Sequence, residues 1–237
     1  ATIIDPTGNG AATLTRSGGA GDTLIVSGTV NLQDFIIENA AAGAGLSATG
    51  ATSISSTGLT VQNVAGQGID LDTLTGAASS FANTSVSSTT GNAIDIVNST
   101  VSFTGGLDIA TVDGIGFNAT GGGTLSVAAS AGTEQIVATG TGTAINLDGV
   151  TVAAGGISFD SVTTAATATA NGVDINDAAG GTLTLTSVSL GGTAATAGLE
   201  ISGNARTSNV VVTGGTIANG AAISGSGSGT VTIGASI

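Results

Sequence analysis

The chain has 237 residues, of which 41 are Gly, 38 Ala and 39 Thr, so three small or β-branched residue types make up half of it. Only 7% is charged, with Arg16 and Arg206 set against 15 acids for a net charge of −13, and Lys, His, Cys, Met, Trp and Tyr are absent. These absences exclude serine and cysteine triads, thiolate zinc sites, imidazole ligands, Schiff-base lysines and the P-loop, and a polyanion with two arginines has no footprint for nucleic acid.

A hydrophobic content of 41% with five Phe is enough for a core, but one built from Ala, Val, Ile and Leu. Such a core must be thin and regular, because few bulky side chains are present to fill a wide interior. Collagen is excluded by the lack of a strict three-residue Gly period and by the single proline, Pro6. Short alternating apolar runs along the whole chain exclude disorder. No apolar run reaches the ~18 residues of a membrane span, so no membrane insertion is expected. The absence of Cys rules out a disulfide-stapled scaffold. The chain starts at Ala1 with no Met or signal peptide, so a processed protein or a piece of a longer one is expected.

In chain order, residues 1–20 are expected to form an irregular N-terminal segment. After them one motif recurs, an apolar–x–apolar triplet behind Gly or Ala: GLSA (45–48), GIDL (68–71), AIDI (93–96), GIGF (114–117), AINL (144–147), GVDI (172–175) and GLEI (198–201), then a weaker copy around Ile223. The leading apolar residues are Leu46, Ile69, Ile94, Ile115, Ile145, Val173, Leu199 and Ile223, with a mean step near 25 residues. Each period holds further doublets: Val101/Phe103 and Leu107/Ile109, then Val150/Val152 and Ile157/Phe159, then Leu183/Leu185 and Val188/Leu190, then Val210/Val212 and Ile217. Period-two alternation over such short runs reads as strand, with Gly, Asn, Asp and Ser at the corners. The Ala-rich stretch 164–170 has neither a 3.6-residue period nor capping and is placed in a corner loop.

Three short strands per ~25 residues describe one turn of a three-sided parallel β-solenoid. One rung cannot bury its own inward side chains, whereas rungs stacked about 4.8 Å apart satisfy every strand above and below. The fold expected is therefore all-β, a single solenoid domain over residues 1–237 with about 9–10 rungs of ~25 residues. Phe103, Phe117 and Phe159 point inward by parity. The scarcity of proline follows, because each interior N–H must donate to a ladder.

The outward residue at the centre of the first strand runs Ser47, Asp70, Asp95, Gly116, Asn146, Asp174, Glu200, Ser224. In this register Asp70 stacks on Asp95 and Asp174 on Glu200. Like charges so placed repel, raise a pKa or recruit a cation, and Ca²⁺ is the cation that oxygen ligands of this kind would take. A pair of carboxylates is also what glycoside cleavage uses. The bland alternative is a solvated acidic face, and the lack of Trp and Tyr platforms favours it. No catalytic residue, resident cofactor or enzymatic activity is expected. Asp174–Asp177 opens like a calcium loop, but Ala178 and Leu185 occupy ligand positions and break the pattern.

The segments GNAIDIVNSTVSFTGGLDI, GIGFNATGGGTLSV, TGTAINLDGVTVAAGGISFDSV and NGVDINDAAGGTLTL, within residues 60–205, resemble the β-strand-repeat regions of large bacterial autotransporter- or adhesin-like surface proteins. The resemblance is one of texture and order. It implies a right-handed parallel β-helix, secreted to the bacterial cell surface, serving as a surface fibre or adhesin stalk within a longer chain. Its expected partners are copies of itself or flanking repeats, joined through the terminal strands Ala1–Ile4 and Val231–Ile237, which carry no polar cap. A host or matrix surface ligand is the other expected partner. The alternative is a carbohydrate-binding or carbohydrate-active β-helix acting through Asp70/Asp95 or Asp174/Glu200.

Overall fold

The structure, a computed structural model, describes residues 2–4, 11–16, 19–38, 42–50, 53–193 and 196–237. Among these there is no helix, and every paired strand is parallel. Period-two alternation becomes three stacks of strands around one core. The first face carries nine strands: Leu24–Val26, Leu46–Thr49, Ile69–Asp72, Ile94–Val97, Phe117–Thr120, Ile145–Asp148, Val173–Asn176, Leu199–Ser202 and Ala221–Ile223. The second face runs from Thr2–Ile4 through Thr29–Gln33, Ser53–Thr57 and Thr124–Val127 to Val231–Ile233. The third runs from Ala12–Thr15 through Phe35–Glu38, Thr60–Gln62 and Glu134–Ala138 onward. The longer strands Ser79–Thr89, Val101–Thr111, Thr151–Thr164, Thr182–Leu190 and Asn209–Ile217 bend from the second face onto the third, joining the two into one 15-stranded sheet.

Nine strands on the first face are nine stacked rungs, within the 9–10 expected, and they bound about 8 turns of the coil. At about 4.8 Å per turn its axis is about 38 Å long. Equivalent strands start 22 to 28 residues apart. Within the expected irregular segment, residues 1–20, Thr2–Ile4 pairs with Val30–Leu32 and Ala12–Thr15 pairs with Phe35–Glu38. Ala1, residues 5–10 (Pro6 among them) and residues 17–18 of that segment lie outside the described residues.

The core is one continuous column of Val, Ile, Leu and Ala. Four phenyl rings run through it: Phe81 stacks on Phe103 at 5.4 Å, and Phe103, Phe117 and Phe159 follow edge to face at 5.7 and 5.8 Å. Such offset and edge contacts suit the ring quadrupole. Phe103, Phe117 and Phe159 are buried as their parity requires. The Ala-rich stretch 164–170 forms a corner after the strand Thr151–Thr164, with Ala168 buried.

Two columns differ from those expected. Ile94 pairs with Phe117, not Ile115, and Leu199 pairs with Ala221, while Ile223 lies over Ile201. Both shifts are by two residues, which preserves the inward parity but changes the rung partner. What sets the register is the corner after the first face. In all nine rungs one corner residue there has positive φ, and six of the nine are Gly. The other three are Thr73, Asn98 and Asp177. Their backbones bond to the next rung, as in Gly50 N to Asp72 O at 3.0 Å and Asn98 N to Thr120 O at 3.1 Å. Gly121 therefore aligns with Asn98, and this draws Phe117 beneath Ile94.

The opposite corner is set by close approach. Gly21, Gly43, Gly66, Gly91, Gly114 and Gly142 stack so tightly that a Cβ on Gly114 would overlap the carbonyl of Gly91. Together the two corners define an eight-residue unit, Gly–x–(Gly/Ala)–apolar–x–apolar–x–(Gly/Asn/Asp/Thr). It is seen in GAGLSATG (43–50), GNAIDIVN (91–98), GIGFNATG (114–121) and GTAINLDG (142–149).

Candidate functional site

The outward side of the first face gathers the acidic side chains that the alternation predicts. Side chains of every second residue point outward, so the register Ser47, Asp70, Asp95, Asn118, Asn146, Asp174, Glu200, Ala222 becomes one straight column. Asn118 takes the place expected for Gly116, and Ala222 that expected for Ser224. The parallel column two residues on runs Asp72, Val97, Thr120, Asp148, Asn176, Ser202.

Amides are interleaved with the acids, and they form ladders along the axis. Asn118 Nδ2 donates to Asp95 Oδ1 at 2.6 Å, and Asn146 Nδ2 to Asn118 Oδ1 at 2.7 Å. In the second column Asn176 Nδ2 donates to Asp148 Oδ1 at 2.7 Å, and Ser202 Oγ to Asn176 Oδ1 at 3.2 Å. Asp174 and Glu200 face each other across Asn171, whose Nδ2 donates to both carboxylates, at 3.3 Å to Asp174 Oδ2 and more closely to Glu200 Oε2. Asn171 was not anticipated as part of this group. Its signal is the spacing of three residues before Asp174, which brings it from the corner onto the face.

Asp70 and Asp95 are direct ladder partners. Partial burial, then the charges of Asp95, Asp22 and Asp72, push the Asp70 carboxyl up to about 6 from 3.8. Burial also raises Asp174; the Asn171 hydrogen bond opposes this, and Glu200 and Asp148 reinforce it. Among the described residues no group of three or more His, Cys, Asp or Glu is placed to hold a metal ion. Two paired carboxylates supply fewer oxygens than the six to eight that Ca²⁺ takes.

The two cations serve the chain's own backbone. Arg16 Nη1 donates to Asp22 O at 2.6 Å. Arg206 is buried, with Nη1 on Ser208 O at 2.7 Å and Nη2 on Gly229 O at 2.9 Å, which fastens the last rung. A second acid that the alternation pattern did not single out is Glu134. It is buried at the start of its strand, and its carboxylate accepts from Ser130 Oγ.

No family model matches the chain, and no curated protein and no solved structure matches it. The likeness to bacterial surface repeats therefore rests on sequence texture, and its coarser part, a parallel β-solenoid built of repeats, is what the structure shows. No helix among the described residues is long and apolar enough to cross a membrane.

Proposed function

We propose that this chain is a structural segment of a secreted bacterial surface protein, a stiff β-helical stalk or fibre. The observation that carries this reading is the unbroken ladder of nine parallel strands on the first face, matched by two further ladders around the same core. Separating two rungs means breaking three strand pairs together, so the coil resists bending and local opening. A surface of Thr, Ser and small residues, with no Lys, Cys or Met, presents little that proteases or oxidants attack. The strands Leu24–Val26, Ala221–Ile223 and Val231–Ile233 carry no charge or proline, which suits rung-on-rung extension by flanking repeats or by a second copy.

An antibody raised against the chain should label intact cells of its source bacterium, and labelling only after lysis would overturn the surface assignment. Sedimentation of the purified chain tests the polymerising variant, which a strict monomer at all concentrations would exclude. The second reading, a carbohydrate-binding or carbohydrate-active face, is favoured by the adjacent carboxylates of Asp70 and Asp95. Glycan binding or hydrolysis lost in Asp70→Asn or Asp174→Asn would displace the purely structural role.

A further inference from the structure

The corner between the second and third faces lengthens over three successive rungs, and this mismatch opens a cleft. Ala82 and Thr84 enclose one corner residue, Asn83, whereas their partners Thr104 and Leu107 enclose two, Gly105 and Gly106. One rung further, the strands Thr124–Val127 and Glu134–Ala138 are joined by the excursion 128–133. Corners of unequal length cannot stack evenly. Gly132, in the excursion, settles so close to Gly106 that a Cβ on it would lie 2.9 Å from the Gly106 Cα. Beside this contact remains a cleft of about 250 Å³, lined by Asn83, Ser85, Asp108, Thr133, Leu107 and corner glycines. Thr84 also borders it; this residue is buried, and its hydroxyl has no hydrogen-bond partner.

We propose that this cleft binds one neutral sugar ring without cleaving it. An amide, hydroxyls and one carboxylate are the groups that pair with sugar hydroxyls, while the glycine Cα atoms, lying over the buried Leu107, offer an apolar patch for a ring C–H face. Asp108 accepts from Gln135 Nε2 at 2.9 Å through Oδ1, leaving Oδ2 for a ligand. Anions are disfavoured, because the only charged group lining the cleft is that carboxylate. A single carboxylate also falls short of a cation shell and of the acid pair that glycoside cleavage requires. The volume lies below the ~300–1,000 Å³ of pockets for drug-sized ligands, which fits one ring rather than a chain. This site is separate from the acidic face and does not depend on the stalk reading.

The test is amide-resolved NMR titration of the whole chain with methyl α-glucoside, methyl β-galactoside and N-acetylglucosamine, with glycerol as the control. At least one sugar should give saturable shifts centred on Gly105, Gly106, Gly132 and Thr133, and glycerol should not. Asp108→Ala, at an exposed position, should weaken the binding about tenfold by loss of a charge-assisted hydrogen bond. Ser85→Leu should fill the cleft and abolish the shifts while the remaining spectrum stays dispersed. The proposal is overturned by no saturable shift at these amides with any sugar, by equal shifts with glycerol, or by binding that survives Ser85→Leu. Shifts that map instead to the Asp70–Glu200 column would also overturn it.

Discussion

At the scale of single residues, backbone conformation is the constraint that composition conceals. Thr73 sits at φ 52° in a corner column where six of the nine rungs use Gly, and a β-branched residue in that region is strained. Its N–H still bonds to Val97 O at 2.9 Å, and its hydroxyl to Asp72 Oδ1 at 2.7 Å. Thr73→Asn, the residue found at the same corner as Asn98, should raise stability by about 1 kcal/mol in urea titration. Asp70 supplies a second residue-scale prediction. Its folded pKa of about 6 exceeds 3.8, so the ionised carboxylate costs stability at neutral pH. That cost is relieved as pH falls through about 6 toward 3.8, because the folded state binds the proton more tightly. Asp70→Asn should therefore melt above the wild type at neutral pH, and the difference should vanish near pH 3.8. A constant difference in melting temperature across this window would refute the assignment.

At the scale of elements, the strands are interchangeable and the corners are not. Inward columns accept Leu46, Ile69, Ile94, Phe117, Ile145, Val173 and Leu199 in turn, since each needs only an apolar side chain of tolerable volume. The glycine column at the other corner leaves no space for a Cβ. Gly114→Ala should cost about 1–3 kcal/mol by forcing adjacent rungs apart, although alanine has the same polarity and a better strand propensity. The measurement is thermal melting against a control, Gly155→Ala, where a Cβ would meet nothing within 4 Å. The apolar triplets alone placed Ile115 under Ile94 because they ignore the corner. The terminal Gly121 in FNATG, four residues after Phe117, is the signal that identifies the right partner, and the Gly225 of AAISG does the same for Ala221.

For the whole molecule, stability should be close to a sum of rungs and the interfaces between them. Deleting residues 94–116 joins Ala93 to Phe117 and removes one whole period in phase. The shortened chain should keep its β circular dichroism, and its scattering profile should show a rod shorter by about 4.8 Å. A collapse into an unfolded chain would show that the turns are not modular. The chain's charge distribution also belongs to this scale. Asp70, Asp72, Asp95, Asp148, Asp174 and Glu200 share one face, whereas strands of the second face such as Ser53–Thr57, Thr124–Val127 and Val231–Ile233 carry no charge. The pairing of Asp70 with Asp95 and of Asp174 with Glu200 was legible from alternation. Their separate environments were not, because Asn171 comes from a corner and Asp22 from outside the repeated strand.

The sequence by itself determined the parallel solenoid, its inward residues and the stacking of its acids, because a period of two within strands and a period near 25 between them survive every variation in the corners. The tertiary structure decided the two-residue register of Phe117 beneath Ile94 and of Ala221 beside Leu199, the amide bridge across Asp174 and Glu200, and the cleft beside Gly105 and Gly106. These depend on corners of unequal length brought together across 20 to 30 residues, where only three-dimensional stacking reveals which backbone meets which.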